Sequence, residues 1–279
     1  MIEYANAKLN LTLEITGKTE DAYHQIASVF QKIKLSDRVS IENAFIDEVS
    51  FNRKVFSKIT TVHIARDIFR EATSIIEPVN ISVKKSIPVG SGLGGGSSDA
   101  RATLFLLNRL FGNPLSDASL IQLGKRIGSD VPFFFNGSTA FVSGVGDTVE
   151  PIQNLNKIYI IIIFPVFHSP TRLAYELFDK FGSFSNGTYT DKFISALSTD
   201  YNASMLNDLA YNDFELLFKK IDSRYRKLFD FVEHFTSTKF HLTGSGSSFF
   251  SLFDKLEQAK YISKKLQKAG LRHVLTETI

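Results

Sequence analysis

Residues 88–100 read Pro-Val-Gly-Ser-Gly-Leu-Gly-Gly-Gly-Ser-Ser-Asp-Ala, and five of the seven residues from Gly90 to Gly96 are glycine. Glycine loses more backbone freedom on ordering than any other residue, so such a run needs a reason. Bare main chain lets successive N–H groups close on oxyanions. A helix opening directly behind the loop adds unpaired N–H groups and a partial positive charge of ~+0.5. The hydroxyls of Ser97 and Ser98 can donate to phosphate or ligate Mg2+. The stretch Gly90, Ser91, Gly92, Leu93, Gly94, Gly95, Gly96, Ser97, Ser98, Asp99 and Ala100 is therefore a candidate cradle for nucleotide phosphates.

Other readings of the loop compete. The P-loop of nucleoside triphosphatases needs Lys and then Ser or Thr after its last glycine, but Ser97-Ser98 follow Gly96 here. Gly90, Gly92 and Gly95 satisfy the dinucleotide pattern G-x-G-x-x-G literally. The acidic residue expected ~20 positions on, closing a second parallel strand, is missing. A flexible surface loop would need neither the Pro88-x-x-x-Gly92-Leu93-Gly94 approach nor a capped helix behind it.

Composition narrows the field. The chain has 279 residues, 43% hydrophobic, with 26 Phe, two Met and no Trp, which points to a Phe-rich core. Cysteine is absent, which excludes disulfides, thiolate metal sites and cysteine nucleophiles. A net charge of +3 tolerates an anionic ligand but is no nucleic-acid-binding stripe. The pairs Lys84-Lys85, Lys219-Lys220 and Lys264-Lys265 read as solvated faces. His63, His168, His234 and His241 show no metal-like spacing and read as structural. Residues 1–15 lack the pattern of a signal peptide. The apolar run 158–167 is too short for a bilayer, which needs ~20 residues. A cytoplasmic protein with no membrane or nucleic-acid partner is expected.

Around the loop, Leu9, Leu11, Leu13 and Ile15 alternate with Asn10, Thr12 and Glu14, predicting a half-buried strand. Further strands are predicted at 38–43, 79–83, 138–142, 158–167, 239–243 and 247–253. Helical spacing marks 61–72, with Val62, Ala65, Ile68, Phe69 and Ala72 on one face. A helix follows the loop with Ala100, Leu104, Leu107 and Phe111 on one face, and Ser97, Ser98 and Asp99 stand where an N-cap belongs. Further helices are predicted at 117–127, 170–181 and 255–269, the second opened by Ser169 as N-cap and Pro170 as first residue. Segment 17–24 and segment 182–190 read as loops. Strands and helices mix without strict alternation, so the fold class is α+β. A polar connector at 150–157 places a domain boundary there, giving 1–150 and 151–279.

The loop resembles the phosphate loop of the GHMP kinases, which phosphorylate small molecules with ATP. Three more segments resemble that family in its order: 7–24, "AKLNLTLEITGKTEDAYH"; 128–147, "GSDVPFFFNGSTAFVSGVGD"; and 242–253, "LTGSGSSFFSLF". The first two look like one branch, whose acceptor is a cytidine diphosphate-bearing sugar alcohol, 4-diphosphocytidyl-2-C-methyl-D-erythritol. The resemblance implies a two-domain fold, with a ribosomal protein S5 domain 2-like N-terminal half, a ferredoxin-like C-terminal half and the active site in a cleft. It implies ATP as co-substrate and Mg2+, whose ligands it does not assign. It fits a monomer or weak homodimer.

By that resemblance Asp130, in Gly-x-Asp-Val-Pro, is the base and Lys8 its cationic neighbour. Phosphoryl transfer asks for positioning and charge neutralisation more than covalent chemistry. Asn10 is expected to hydrogen-bond substrate, Tyr23 to stack on the cytosine, His24 to hydrogen-bond it, and Tyr175 to close its other side. Thr171 is expected at the polar part of the substrate. Arg101 could help hold phosphate, and 243–248 is expected to pack on the phosphate loop. "YNDFE" (211–215) also matches a family segment, without a physical role. Competing functions are another kinase of this family acting on mevalonate or homoserine, a non-catalytic nucleotide-binding protein, and a nicotinamide-dependent oxidoreductase.

Overall fold

The longest strand runs from His24 to Asn43, 20 residues, of which alternation marks only 38–43. Residues 26–31 are buried without a break. Both faces there are covered, and a strand covered on both faces loses its period of two. The structure is a computed structural model that describes residues 1–55 and 57–279.

In chain order the strands and helices are β1 (Ile2–Asn10), β2 (Thr12–Lys18), β3 (His24–Asn43), β4 (Glu48–Phe51), α1 (Thr61–Thr73), β5 (Val79–Lys84), α2 (Gly95–Leu110) and α3 (Asp117–Ile127). A 3-10 turn (Pro132–Phe135) leads to β6 (Thr139–Ser143), β7 (Thr148–Pro151), β8 (Tyr159–Ile163), α4 (Thr171–Phe181), α5 (Thr188–Leu197) and α6 (Ala203–Leu209). Then come β9 (Tyr211–Asn212), α7 (Asp213–Ile221), α8 (Ser223–Thr236), β10 (His241–Leu242), β11 (Phe249–Phe253), α9 (Leu256–Lys268) and β12 (His273–Glu277). The α+β class expected from sequence is the class observed. No described helix is long and apolar enough to cross a membrane.

The chain forms two compact units that interleave in sequence: Met1–Lys8, Leu35–Val89 and Gly94–Gly137 in the first, Leu9–Lys34, Gly90–Leu93 and Ser138–Ile279 in the second. In the first unit, Arg38–Asn43 of β3 pairs antiparallel with β5, and β5 pairs in parallel with β4. Val39, Ile41, Ile81 and Val83 from these strands pack with Val62, Ala65 and Phe69 of α1 and Ala100, Leu104 and Leu107 of α2. Those helical residues are the apolar faces marked by sequence spacing.

In the second unit, β2 pairs with the start of β3, β6 with Ser28–Gln31, and β9 lies parallel to β2. A separate antiparallel sheet has the order β10-β11-β8-β12. With helices after β8 and after β11, this is the split βαβ order of a ferredoxin-like half. Ile160–Ile163 of β8 are fully buried, as the Ile-rich run requires.

Three local expectations are corrected. The strand predicted across 9–15 is two strands, broken at Leu11, whose N–H turns to the Val29 carbonyl at 2.8 Å. Helix α2 starts earlier than predicted. Its N-cap is Gly94, at φ +68°, a region that glycine enters without cost, so Ser97, Ser98 and Asp99 lie inside the helix. The N-cap of α4 is Pro170, one residue past the expected Ser169.

Candidate active site

The first unit builds the C-terminal half of the loop. Strand β5 ends at Lys84, and the next residues are pinned from below. The Asp37 carboxylate accepts the N–H groups of Ser86 and Ile87, the latter at 2.8 Å. Lys85 bonds Asp37 and also Asp99, 2.6 Å away in the first turn of α2. All three side chains are buried, so Lys85 is not the solvated lysine its neighbourhood suggested. Burial pushes the Asp99 carboxyl up to about 7 against the pull of Lys85. Burial would lower Lys85, but the two carboxylates more than offset it and hold the ammonium in its charged form. Two carboxylates facing one ammonium leave one negative charge in excess, which is why one of them retains a proton so readily. Asp99 therefore serves the loop from beneath, with its side chain turned into the unit.

Gly94 and Gly95 have no room for a side chain. A Cβ on Gly94 would lie 2.9 Å from Lys8 Cγ and 3.0 Å from Phe134 Cζ, and one on Gly95 3.0 Å from Ile87 Cγ2. Gly96 is exposed, and its carbonyl accepts from Thr61 Oγ1 at 2.7 Å. The first N–H groups of α2 have no partner within the helix. Ser98 N–H is the first to turn back, to the Gly94 carbonyl at 2.9 Å. Ser97 is half-buried, while Ser98 and Ala100 are buried.

Lys8 runs its stem under Gly94 and sets Nζ 3.2 Å from Asp130 Oδ2. The lysine side chain is 5% exposed and the aspartate 29%. Asp130 thus stands at the surface beside a buried cation, and it precedes the 3-10 turn that Val131 opens with an N–H bond to Gly128, 3.1 Å. The resemblance put these two residues together, and they are together. Arg101, expected near phosphate, lies in α2. It bonds Glu3 and lies over the rings of Phe105 and Phe135, 4.7 and 5.5 Å from their centroids.

The second unit builds the N-terminal half of the loop. Gly90 and Gly92 have φ of +72° and +79°. A Cβ on Gly92 would lie 2.8 Å from the carbonyl oxygens of Thr243 and Gly246, and one on Gly244 3.1 Å from the Gly92 oxygen. Small residues meet here backbone to backbone, as the 243–248 motif suggested. Ser91 and Leu93 are buried on either side. Segment 211–215, without a role in the sequence, is the clamp on this turn. Asn212 caps α7 through Phe214 N–H (2.9 Å) and donates to the carbonyls of Leu242 (3.0 Å) and Gly244 (2.9 Å). Glu215 accepts the Leu242 N–H at 2.8 Å. His241, predicted structural, is buried with Nδ1 3.6 Å from Glu215.

The remaining expected substrate residues also lie in this unit. Asn10 is buried, its N–H bonded to Thr243 Oγ1 (2.9 Å) and its side-chain amide donating to Ser28 Oγ (3.1 Å). Thr171 is exposed at the start of α4, 2.9 Å from Ser245 Oγ. Tyr175 stacks on His24, centroids 4.5 Å apart and planes at 28°, with its edge to Phe214 at 5.0 Å. Tyr23 is 67% exposed at the turn before β3. The structure joins His24 and Tyr175 and leaves the Tyr23 ring in solvent. Asp37, Lys85, Asp179 and Asn212 carry no pattern that single-sequence spacing could flag. Among the described residues no group of three or more His, Asp or Glu could hold a metal ion.

A glycine loop opening a helix, with a lysine–aspartate pair beside its last turn, describes a small-molecule kinase site. The family profile described as "GHMP kinases N terminal domain" matches residues 59–138. A relative from Thermotoga maritima named 4-diphosphocytidyl-2-C-methyl-D-erythritol kinase is 35% identical, with 91% of this chain and 92% of the relative covered. One of the same name from Caldicellulosiruptor saccharolyticus is 32% identical, covering 100% and 97%. A crystal structure of 4-(cytidine 5'-diphospho)-2C-methyl-D-erythritol kinase superposes with a TM-score of 0.82 at 27% identity, covering 100% of this chain and 99% of that one. The chain belongs to the GHMP kinase family, in the branch of the 4-diphosphocytidyl-2-C-methyl-D-erythritol kinases. Membership of a kinase family implies ATP as co-substrate.

Proposed function

We propose that this chain phosphorylates the 2-hydroxyl of 4-diphosphocytidyl-2-C-methyl-D-erythritol with ATP, a step of the non-mevalonate route to isoprenoid precursors. The observation that carries the reading is the Lys8–Asp130 pair beside Gly94, in a chain whose relatives bear that name. Residues 90–100 hold the triphosphate: the open N–H groups of Gly95, Gly96 and Ser97 face its oxygens, and the Asp37–Lys85–Asp99 cluster fixes the loop from beneath.

Asp130 orients the acceptor hydroxyl. A carboxylate is a far weaker base than an alkoxide, so the proton moves late, as the new O–P bond forms and the bond to the ADP oxygen breaks. Lys8 offsets the charge of Asp130 and of the transferring phosphoryl group. His24 and Tyr175 contact the cytosine, with Tyr23 stacking on it; Asn10 and Thr171 line the polar part of the acceptor. Mg2+ accompanies the nucleotide. Among the described residues no acidic cage is present, so the ion would be held by phosphates, water and the Ser97 or Ser98 hydroxyl. The ion would neutralise phosphate charge. We extend the reading to a cytoplasmic monomer or weak homodimer, and to functional halves at 1–150 and 151–279.

A coupled ADP-release assay across a panel of acceptors tests it. Activity on the cytidylyl compound and none on mevalonate or homoserine is expected. Activity confined to mevalonate or homoserine overturns the substrate, and nucleotide binding without turnover on any acceptor overturns the enzyme.

A further inference from the structure

Lys18 and His24 face each other across β2 and β3. Both reach one residue of α4 that the reaction described above does not use. Asp179 Oδ2 lies 2.7 Å from Lys18 Nζ, and Oδ1 lies 2.7 Å from His24 Nε2. Asp179 is one helical turn after Tyr175, so the same face of α4 supplies the ring that stacks on the imidazole and the carboxylate that bonds it. Phe178 closes on the imidazole edge-on at 6.2 Å. The His24 side chain is 9% exposed and has few ways to turn.

We propose that Asp179 is a positioning residue that fixes the tautomer of His24, and thereby makes this site select a base carrying an exocyclic amine. An ionised carboxylate only accepts hydrogen bonds, so Nε2 must carry the proton. Slight burial would raise the Asp179 carboxyl, but bonds from Lys18 and His24 more than offset it and hold it below the usual carboxylate range. In a neutral imidazole the bond to Asp179 therefore places the one ring proton on Nε2. Nδ1 is left with a lone pair and, among the described residues, no hydrogen-bond partner. That nitrogen accepts from the 4-amino group of cytosine and meets only another acceptor in the 4-carbonyl of uracil. A site built to bond one group rejects the analogue that cannot complete the bond. The inference rests on the reading of His24 as a residue that contacts the base.

The test combines spectroscopy with kinetics on the full chain. In 15N-histidine-labelled protein without ligand, His24 is expected to be protonated at Nε2, and Asp179→Ala to turn it into a tautomer mixture. Asp179→Ala is expected to raise KM for the cytidylyl acceptor about tenfold or more, about 1.4 kcal/mol, with kcat and the KM for ATP unchanged. It should narrow the preference for the cytidine over the uridine form, and Asp179→Glu should restore part of that preference. Protonation at Nδ1 in the unaltered protein overturns the proposal. So does an unchanged acceptor KM in Asp179→Ala when His24→Ala raises it. An unchanged acceptor KM in His24→Ala removes the base-contact reading itself, and this proposal with it.

Discussion

Lys8 reaches two features at once: its stem packs under Gly94, and its ammonium stands 3.2 Å from the Asp130 carboxylate. One side chain thus ties the start of α2 to the carboxylate proposed to orient the acceptor. Asp130→Asn keeps the shape and removes the carboxylate that the proposed reaction uses to accept the proton. Turnover is expected to fall by at least ~10²-fold, the low end for a proton-transfer group, with nucleotide affinity nearly unchanged by titration calorimetry. Full turnover in this variant would remove Asp130 from the reaction.

The glycines of the loop should separate into two kinds. Gly92→Ala puts a methyl 2.8 Å from two carbonyl oxygens at a φ of +79°. Neither backbone can yield cheaply, so a lowered melting temperature and weakened ATP binding are expected together. Gly96→Ala meets nothing nearer than Thr61 Oγ1 at 3.5 Å and has no left-handed backbone. It should melt like the unaltered protein while raising KM for ATP, because the methyl stands on the exposed face of the loop.

The sequence revealed the loop, the helical faces of α1 and α2, and, through resemblance, the Lys8–Asp130 pair. It hid what supports them. Lys85 sits in an ordinary basic pair, and only the fold shows Asp37 and Asp99 meeting it from 48 and 14 residues away. The first half of β3 was illegible because burial on both faces removes alternation. The start of α2 was misplaced because an N-cap serine is the usual signal, whereas here the cap is a left-handed glycine. Segment 211–215 has no role in the sequence alone, because the two carbonyls that the Asn212 amide bonds, Leu242 and Gly244, lie about 30 residues away.

The Lys85 cluster should be the costliest polar feature to break. Lys85→Met removes the cation that bonds both buried carboxylates, Asp37 and Asp99, and leaves them without it. A loss of about 3–5 kcal/mol is expected, the range for breaking a buried ion pair from one side. Urea unfolding at neutral pH measures it, and a loss below 1 kcal/mol, ~1 being that of a surface pair, would refute the role assigned to the cluster.

Acid stability should depend on Asp47. Its bond to Arg70 outweighs slight burial and, with Val79 N–H, holds the carboxyl at about 2 against an ordinary 3.8. A depressed acid stabilises the fold above its unfolded value and loses that contribution as pH falls through the folded one. Between pH 4 and pH 2 the unaltered protein should therefore lose stability more steeply than Asp47→Asn, which has no such proton to gain. Parallel curves for the two proteins would contradict the assignment.

The contact of Gly92 with the turn holding Thr243 and Gly246 has a consequence for how this chain can diverge. Where a large side chain meets a small one, drift can exchange them, with one position growing as the other shrinks. Here both partners are bare main chain, so neither has anything left to give up. A change of side chain at Thr243 or Gly246 therefore makes no room for one at Gly92, and the two segments constrain each other through main chain alone.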